Sequence, residues 1–301
     1  MIDLSIIIVN YNTKVFLKNL LDSIEKSISK KITYEVIAVD NASTDASASA
    51  ISNFQFPISN LRLIINKKNL GFAKANNQGI RASQESRYLL FLNPDTLMQE
   101  NTIEEMIKFM DTHEDAGAAT CKIVMPNGEI DDASHRGFPT PWNSFSYFSG
   151  FSKIFPKSKL FSGYNLGWMD FGKAHEIDAC AGAFMVVRRS AGEAIGWWDE
   201  DYFFYGEDLD FCYMLKQKGW KVYYVPQVWI LHYKGVAGGI KKISQNISTA
   251  DLETKRRATK ARFSAMKIFY KKHYEKKYPK ITTWLVKLAI NLKLRLAMKN
   301  A

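Results

Sequence analysis

Four short apolar runs, at residues 4–9, 34–39, 61–65 and 88–92, recur along the first third of the chain, and each is too short for a helix. Between them apolar residues repeat at helical spacing, over 15–28 (Phe16, Leu20, Ile24, Ile28), 46–54 and 72–83. This β-α-β-α-β-α-β order constrains the fold more than any other feature. Parallel strands need crossover connections, and the crossover helices cover both faces of the sheet. The expected class is therefore α/β, a Rossmann-like, mostly parallel sheet with helices on both faces. Such sheets take their ligands in the crevice at the carboxyl ends of the strands.

The residues at those ends are polar. Asn10-Tyr11-Asn12 follows the first strand and Asp40-Asn41-Ala42-Ser43 the second, where Asp40 either accepts from a base or ribose of a nucleotide or simply forms an Asp-Asn turn. The third is followed by residues 66–71, in which Asn69 and Gly71, with Lys67 and Lys68, suit a nucleotide or are a glycine turn. Asn93-Pro94-Asp95 closes the fourth, with Asp95 either holding a divalent cation or capping the next helix. Neither a GxGxxG nor a GxxxxGK pattern occurs, so dinucleotide oxidoreductase and P-loop chemistry lack support.

Further along, the pattern predicts a helix over 103–110, an apolar stretch over 116–124, and an irregular region over 125–171 where an acceptor pocket could be built. A strand over 177–187, helices over 190–195 and 209–218, and two short strands broken at Pro226 follow. Gly206-Glu207-Asp208-Leu209-Asp210 opens a helix with three carboxylates, after the aromatic run Tyr202-Phe203-Phe204-Tyr205. Those carboxylates are either macrodipole partners or, beside apolar rings, candidates for a base of raised pKa. His232 is either structural or shares a cation with Asp95; Lys234, in the loop after it, suits phosphate.

The net charge of +11 is concentrated at one end. Residues 251–301 hold 15 Lys and Arg against 3 Asp and Glu, whereas residues 1–250 hold 26 against 27. A neutral body argues against a nucleic-acid-binding fold, and the basic tail fits an anionic membrane surface. Over 281–298, Ile281, Trp284, Leu285, Leu288, Leu292 and Leu296 share a helical stripe interrupted by Lys287, Lys293 and Arg295. An interfacial amphipathic helix is expected there, the alternative being a helix packed on the domain. Three scattered cysteines give neither a disulfide framework nor a zinc pattern, and the opening run reads as a strand rather than a leader. The expected location is cytoplasmic, peripheral on the inner face of the cell membrane.

Taken together, Ser5-Ile-Ile-Ile-Val-Asn-Tyr-Asn, Val39-Asp-Asn-Ala-Ser-Thr-Asp, Asn69-Leu-Gly-Phe-Ala, Phe91-Leu-Asn-Pro-Asp, Gly182-Ala-Phe-Met, Gly206-Glu-Asp-Leu-Asp and His232-Tyr-Lys-Gly resemble glycosyltransferase family 2, of the GT-A fold, in its bacterial rhamnosyltransferase-like branch. The resemblance implies an inverting transfer of a sugar, L-rhamnose among the options, from a dTDP- or UDP-linked donor to a hydroxyl of a glycan or lipid-linked acceptor in cell-wall or O-antigen polysaccharide synthesis. It implies Asp208 as base, with Glu207 and Asp210, on the acceptor side, as the alternative bases. Asn10, Asn12, Asp40, Asn69, Gly71, Asn93, Asp95 and Lys234 would contact the nucleotide sugar, and Asp95 and His232 a Mg2+ or Mn2+ ion. Asn93 departs from the family's Asp-x-Asp pattern and removes one negative charge from the cation. The expected division is a catalytic domain over 1–240, with a donor half (1–115) and an acceptor half (116–240), and a basic helical tail over 241–301. The rival reading is a nucleic-acid- or membrane-binding protein on a non-catalytic scaffold of the same fold.

Overall fold

A computed structural model of the protein describes residues 1–29, 31–52 and 60–299. The four expected strands are β1 (Ile2–Asn10), β2 (Tyr34–Asp40), β3 (Leu61–Ile65) and β4 (Ser86–Leu92), linked by α1 (Lys14–Ser27), α2 (Ser47–Ser52) and α3 (Phe72–Ala82). Positions 53 and 54, expected to end the second helix, lie outside the described residues. β1 runs parallel to β2 and β4, and β2 parallel to β3, giving the order β3-β2-β1-β4. Connections leave β1 in both directions, so the topological switch lies between β1 and β4, where a crevice opens.

The second half adds β5 (Thr96–Met98), α4 (Thr102–Thr112), β6 (Ala116–Val124), α5 (Pro141–Ser149), α6 (Phe151–Ile154), β7 (His175–Ile177), β8 (Phe184–Arg188), α7 (Arg189–Ile195), α8 (Glu207–Gln217) and β9 (Lys221–His232), then α9 (Leu252–His273) and α10 (Lys280–Lys299). Past β4 the sheet runs β8-β6-β9-β5, with β7 also on β9. β6 and β9 are parallel, while β8, β5 and β7 join antiparallel, so this half is mixed where the first is wholly parallel.

Side chains of β1 alternate between two buried layers. Leu4, Ile6 and Ile8 meet Leu17, Leu20 and Ile24 of α1 and Ile103, Met106 and Met110 of α4. Ile7 faces the other way, into a layer with Ala73 and Ile80 of α3 and Phe211 and Leu215 of α8. Both faces of the sheet are thus covered.

Three local expectations are corrected. The strand expected over 177–187 is two strands, separated by a turn at Ala181, Gly182 and Ala183 whose residues face a cavity. Pro226 does not break its strand: β9 is continuous, and the register against β6 jumps from Cys121↔Val225 to Lys122↔Trp229, so a bulge absorbs the proline. The irregular region 125–171 contains α5 and α6. Thr140 caps α5 by accepting from the Asn143 N–H, and Pro141 occupies the first turn, where its missing donor costs nothing.

The basic C-terminal segment is docked. Phe269, Tyr270 and Tyr274 pack with Tyr202 and Tyr213 in a cluster between α9 and α8. No helix among the described residues is long and apolar enough to cross a membrane.

Candidate active site

The strand ends converge on one cavity of about 1000 Å3. Its wall takes Asn41 from the end of β2, Asn69 and Gly71 from the loop before α3, and Asn93, Pro94 and Asp95 from the end of β4. Glu207 and Asp208 come from the start of α8, and His232 and Lys234 from the end of β9.

β5 explains how residues so far apart in sequence meet. Thr96 pairs with His232 across an antiparallel register, and the Tyr233 N–H donates to the Asp95 carbonyl at 2.9 Å. This sets His232 Nε2 3.3 Å from Asp95 Oδ1. On its other side His232 Nδ1 lies 3.3 Å from Oδ2 of Asp131, a residue the sequence reading did not single out. Asp131 is 1% exposed, and its second oxygen is 2.5 Å from Lys234 Nζ. Its own Oδ1 also accepts from the Ala133 N–H, so the carboxylate is held rigidly.

Four charges therefore alternate in a buried row: Asp95, His232, Asp131 and Lys234. Burial alone would lower the pKa of His232, but the carboxylates on both sides outweigh it and raise the imidazole to about 9. Burial likewise opposes ionisation of Asp95 and Asp131, yet the facing cations hold both below the ordinary carboxylate range.

The second acid cluster begins α8. Gly206 takes φ +80°, and the helix starts directly after it, placing Glu207 and Asp208 in the first turn. Asp208 Oδ2 lies 2.6 Å from Arg136 Nη2, an ion pair whose members are both largely buried. Glu207 Oε2 is buried without a hydrogen-bond partner among the described residues. Burial, and then the charge of Asp208, push the Glu207 pKa up to about 8, so at neutral pH it is mostly protonated.

Asp210, expected on the acceptor side, does not line the cavity. It accepts from Tyr202 Oη (3.3 Å) and Lys272 Nζ (2.8 Å) and lies 2.6 Å from His273 Nε2, which ties α9 to α8. The reason is helical periodicity: at about 100° per residue, Asp208 and Asp210 project from opposite sides of the helix.

Asn10, Asn12 and Asp40 also stand behind the wall rather than in it. Asn10 Nδ2 donates to Asp40 Oδ2 at 2.8 Å, the other Asp40 oxygen accepts from the Ser43 N–H, and Asn12 Oδ1 accepts from the Thr44 N–H. The three fix the loops after β1 and β2. Asn41 carries the network forward, donating to Asn69 Oδ1 at 2.9 Å and to the Gly71 carbonyl at 3.2 Å. Gly71 has φ +86°, and a Cβ there would sit 2.5 Å from the Phe203 carbonyl oxygen, so only glycine lets this loop approach α8's leading segment.

The cavity has basic walls that came from segments without a motif. Arg136, Lys241, Arg257 and Arg262 line it, two of them from α9. Arg257 donates to Tyr11 Oη at 3.0 Å and lies over the Tyr11 and Phe203 rings. Burial, with Arg262 nearby, lowers the Lys241 pKa to about 8. The only sequence signal for the α9 pair was the tail's charge.

Residues 5–171 match the family model described as Glycosyl transferase family 2. The chain is 30% identical over 171 residues to "Rhamnosyltransferase WbbL" of Escherichia coli, covering 54% of this chain and 61% of that protein. It is 26% identical over 246 residues to "N-acetylglucosaminyl-diphospho-decaprenol L-rhamnosyltransferase" of Mycobacterium tuberculosis, covering 78% of each. In fold it is similar to the crystal structure of GalNAc-T7 with UDP, GalNAc and Mn2+, at a TM-score of 0.57 and 16% identity over 77% of this chain and 44% of that one.

Proposed function

The chain belongs to glycosyl transferase family 2, and on that premise we propose that it transfers a sugar from a nucleotide-diphosphate donor to an acceptor hydroxyl, with inversion. One observation carries the reading: Asp95 and His232 line the same cavity as Glu207 and Asp208, although 112 positions or more separate Asp95 from each of the others.

Asp208 is the proposed base. It takes the proton of the acceptor hydroxyl as the hydroxyl oxygen bonds to the anomeric carbon and the bond from that carbon to the diphosphate breaks. Arg136 orients the carboxylate, and the protonated Glu207 beside it does not compete for the proton near neutral pH. Lys234, Lys241 and Arg262 offer positive charge to the departing diphosphate. Asn41, Asn69 and Gly71 form the nucleoside wall, with Asn10, Asn12 and Asp40 bracing it from behind.

The residues present fit a divalent cation. His232 Nε2 is buried without a hydrogen-bond partner and faces Asp95, while Asp131 fixes the ring from its other nitrogen. Asp95 and His232 would hold Mg2+ or Mn2+, with Asn93 beside them, and the ion would neutralise the donor's diphosphate when bound. Among the described residues no group of three or more His, Cys, Asp or Glu side chains forms a metal-holding cluster by itself.

L-Rhamnose carried by dTDP or UDP is the first sugar to test, since both relatives described above are named as rhamnosyltransferases. A lipid-linked acceptor is the matching proposal, since the second relative is named for a diphospho-decaprenol acceptor, and cell-wall or O-antigen synthesis is the proposed setting. The place of action is the inner face of the cell membrane, met through the exposed apolar stripe of α10. Donor binding by calorimetry and nucleoside-diphosphate release are measured for wild type and Asp208→Asn. Turnover should fall at least about 1000-fold with donor affinity within about threefold of wild type; an active Asp208→Asn protein removes the assignment.

A further inference from the structure

A second apolar face adjoins α10, and it lies in the catalytic half of the chain. Phe145, Ile154 and Leu160 are 53%, 66% and 60% exposed, and Trp142, Phe151 and Phe155 are exposed with them. The aromatic rings form one patch, and Ile154 and Leu160 belong to the same stretch of chain. Phe145 lies 5.8 Å from Trp142 and 6.0 Å from Phe151 between ring centroids, and Phe161 gathers Trp142, Phe151 and Phe155 within 6.0 Å. Contiguous exposed apolar surface of this kind marks an interaction site.

The charge around the patch identifies the partner. Residues 133–169 contain no Asp or Glu, and Lys153, Lys157 and Lys159 of this segment are exposed. Residues 276–301 are equally free of acid and hold seven Lys and Arg. The two segments touch: Lys293 Nζ sits 4.1 Å from the Phe148 ring centroid. Together they build one side of the cavity, with Phe145 and Phe148 from α5 and Leu285, Val286 and Ala289 from α10. An apolar surface flanked by these lysines complements an anionic bilayer, where the side chains enter the acyl boundary and the lysines meet lipid phosphates.

We propose that α5, α6 and the segment to Leu160 form a second membrane-inserting face, which acts with α10 to seat the cavity directly on an anionic bilayer. A lipid-linked acceptor then reaches Asp208 without leaving the membrane. That purpose rests on the acceptor reading above, whereas the membrane contact itself does not.

The test compares full-length wild type with two full-length triple variants, Ile154→Ser/Phe155→Ser/Leu160→Ser and Leu288→Ser/Leu292→Ser/Leu296→Ser. None of the six residues lines the cavity except through its neighbours. Co-sedimentation uses phosphatidylcholine–phosphatidylglycerol vesicles at roughly 3:1 and pure phosphatidylcholine vesicles. The first variant should keep the wild-type thermal midpoint and partition about tenfold more weakly onto the anionic vesicles. A polarity-sensitive fluorophore on Ile154→Cys should shift to the blue when those vesicles are added. Wild-type partitioning by the first variant, or an unresponsive fluorophore, overturns the proposal. Weakened binding by the first variant with wild-type binding by the second leaves this face standing and removes the α10 reading. Loss of a dimer in the first variant, with vesicle binding unchanged, makes the face a self-association surface and also overturns the proposal. Loss of transfer to every lipid-linked acceptor, with vesicle binding intact, removes the acceptor reading alone.

Discussion

Replacing Asp131 by Asn tests whether the buried charge row is what holds the strand ends together. In metal-free protein the His232 imidazole titrates at about 9 against an ordinary 6.5, a difference equivalent to about 3 kcal/mol of favourable interaction. Asp131 is one of two carboxylates responsible and burial works against both, so its loss should remove at least half of that, and breaking its contact with Lys234 adds a further ~1–2 kcal/mol. The sign follows from the direction of the shift. A raised folded pKa gives stability that is complete below 6.5 and lost as pH rises through about 9. The deficit of Asp131→Asn relative to wild type should therefore be about 3 kcal/mol near pH 6 and should shrink to the Lys234 contribution near pH 9.5. Urea unfolding in a chelating buffer at both pH values measures it. A deficit that is absent, or that grows toward alkaline pH, refutes the coupling of Asp131 to His232.

Two further outcomes follow from the other acids. The folded pKa of Glu207 is raised from 4.5 to about 8, so wild-type stability at this site is present below 4.5 and is lost as pH rises through about 8. Glu207→Gln should flatten that segment of the stability–pH curve and stabilise the protein by about 3 kcal/mol at neutral pH, read from denaturation midpoints across the range; an unchanged slope would show that Glu207 is not held protonated. Asp210→Ala should free α9, costing about 3 kcal/mol because Lys272 and His273 lose their buried partner, and limited proteolysis should then cut within α9 first.

How far the site was legible depended on where each residue's partners lie. Asp95 was visible because it ends an apolar strand, and strand ends define the crevice. Asp131 was invisible: it lies in a stretch without periodicity, and its role arises from contact with His232, 101 positions later. Arg136 went unnoticed for the same reason, since only its meeting with Asp208 gives it a task. Asp208 and Asp210 read alike in sequence, two acids in one helical turn, but they face opposite neighbours, a cavity and a docked helix.

By itself the sequence determined the alternation of strands and helices, and with it the parallel half-sheet and the crevice at its strand ends. These follow from local periodicity and from the backbone's need to pair every buried N–H and C=O. Tertiary structure alone decided which acids share a cavity, that a three-residue strand brings Asp95 to His232, and that the basic tail supplies Arg257 and Arg262 to the cavity wall. Such decisions rest on contacts between residues far apart along the chain, and no local pattern encodes the partner of a charge.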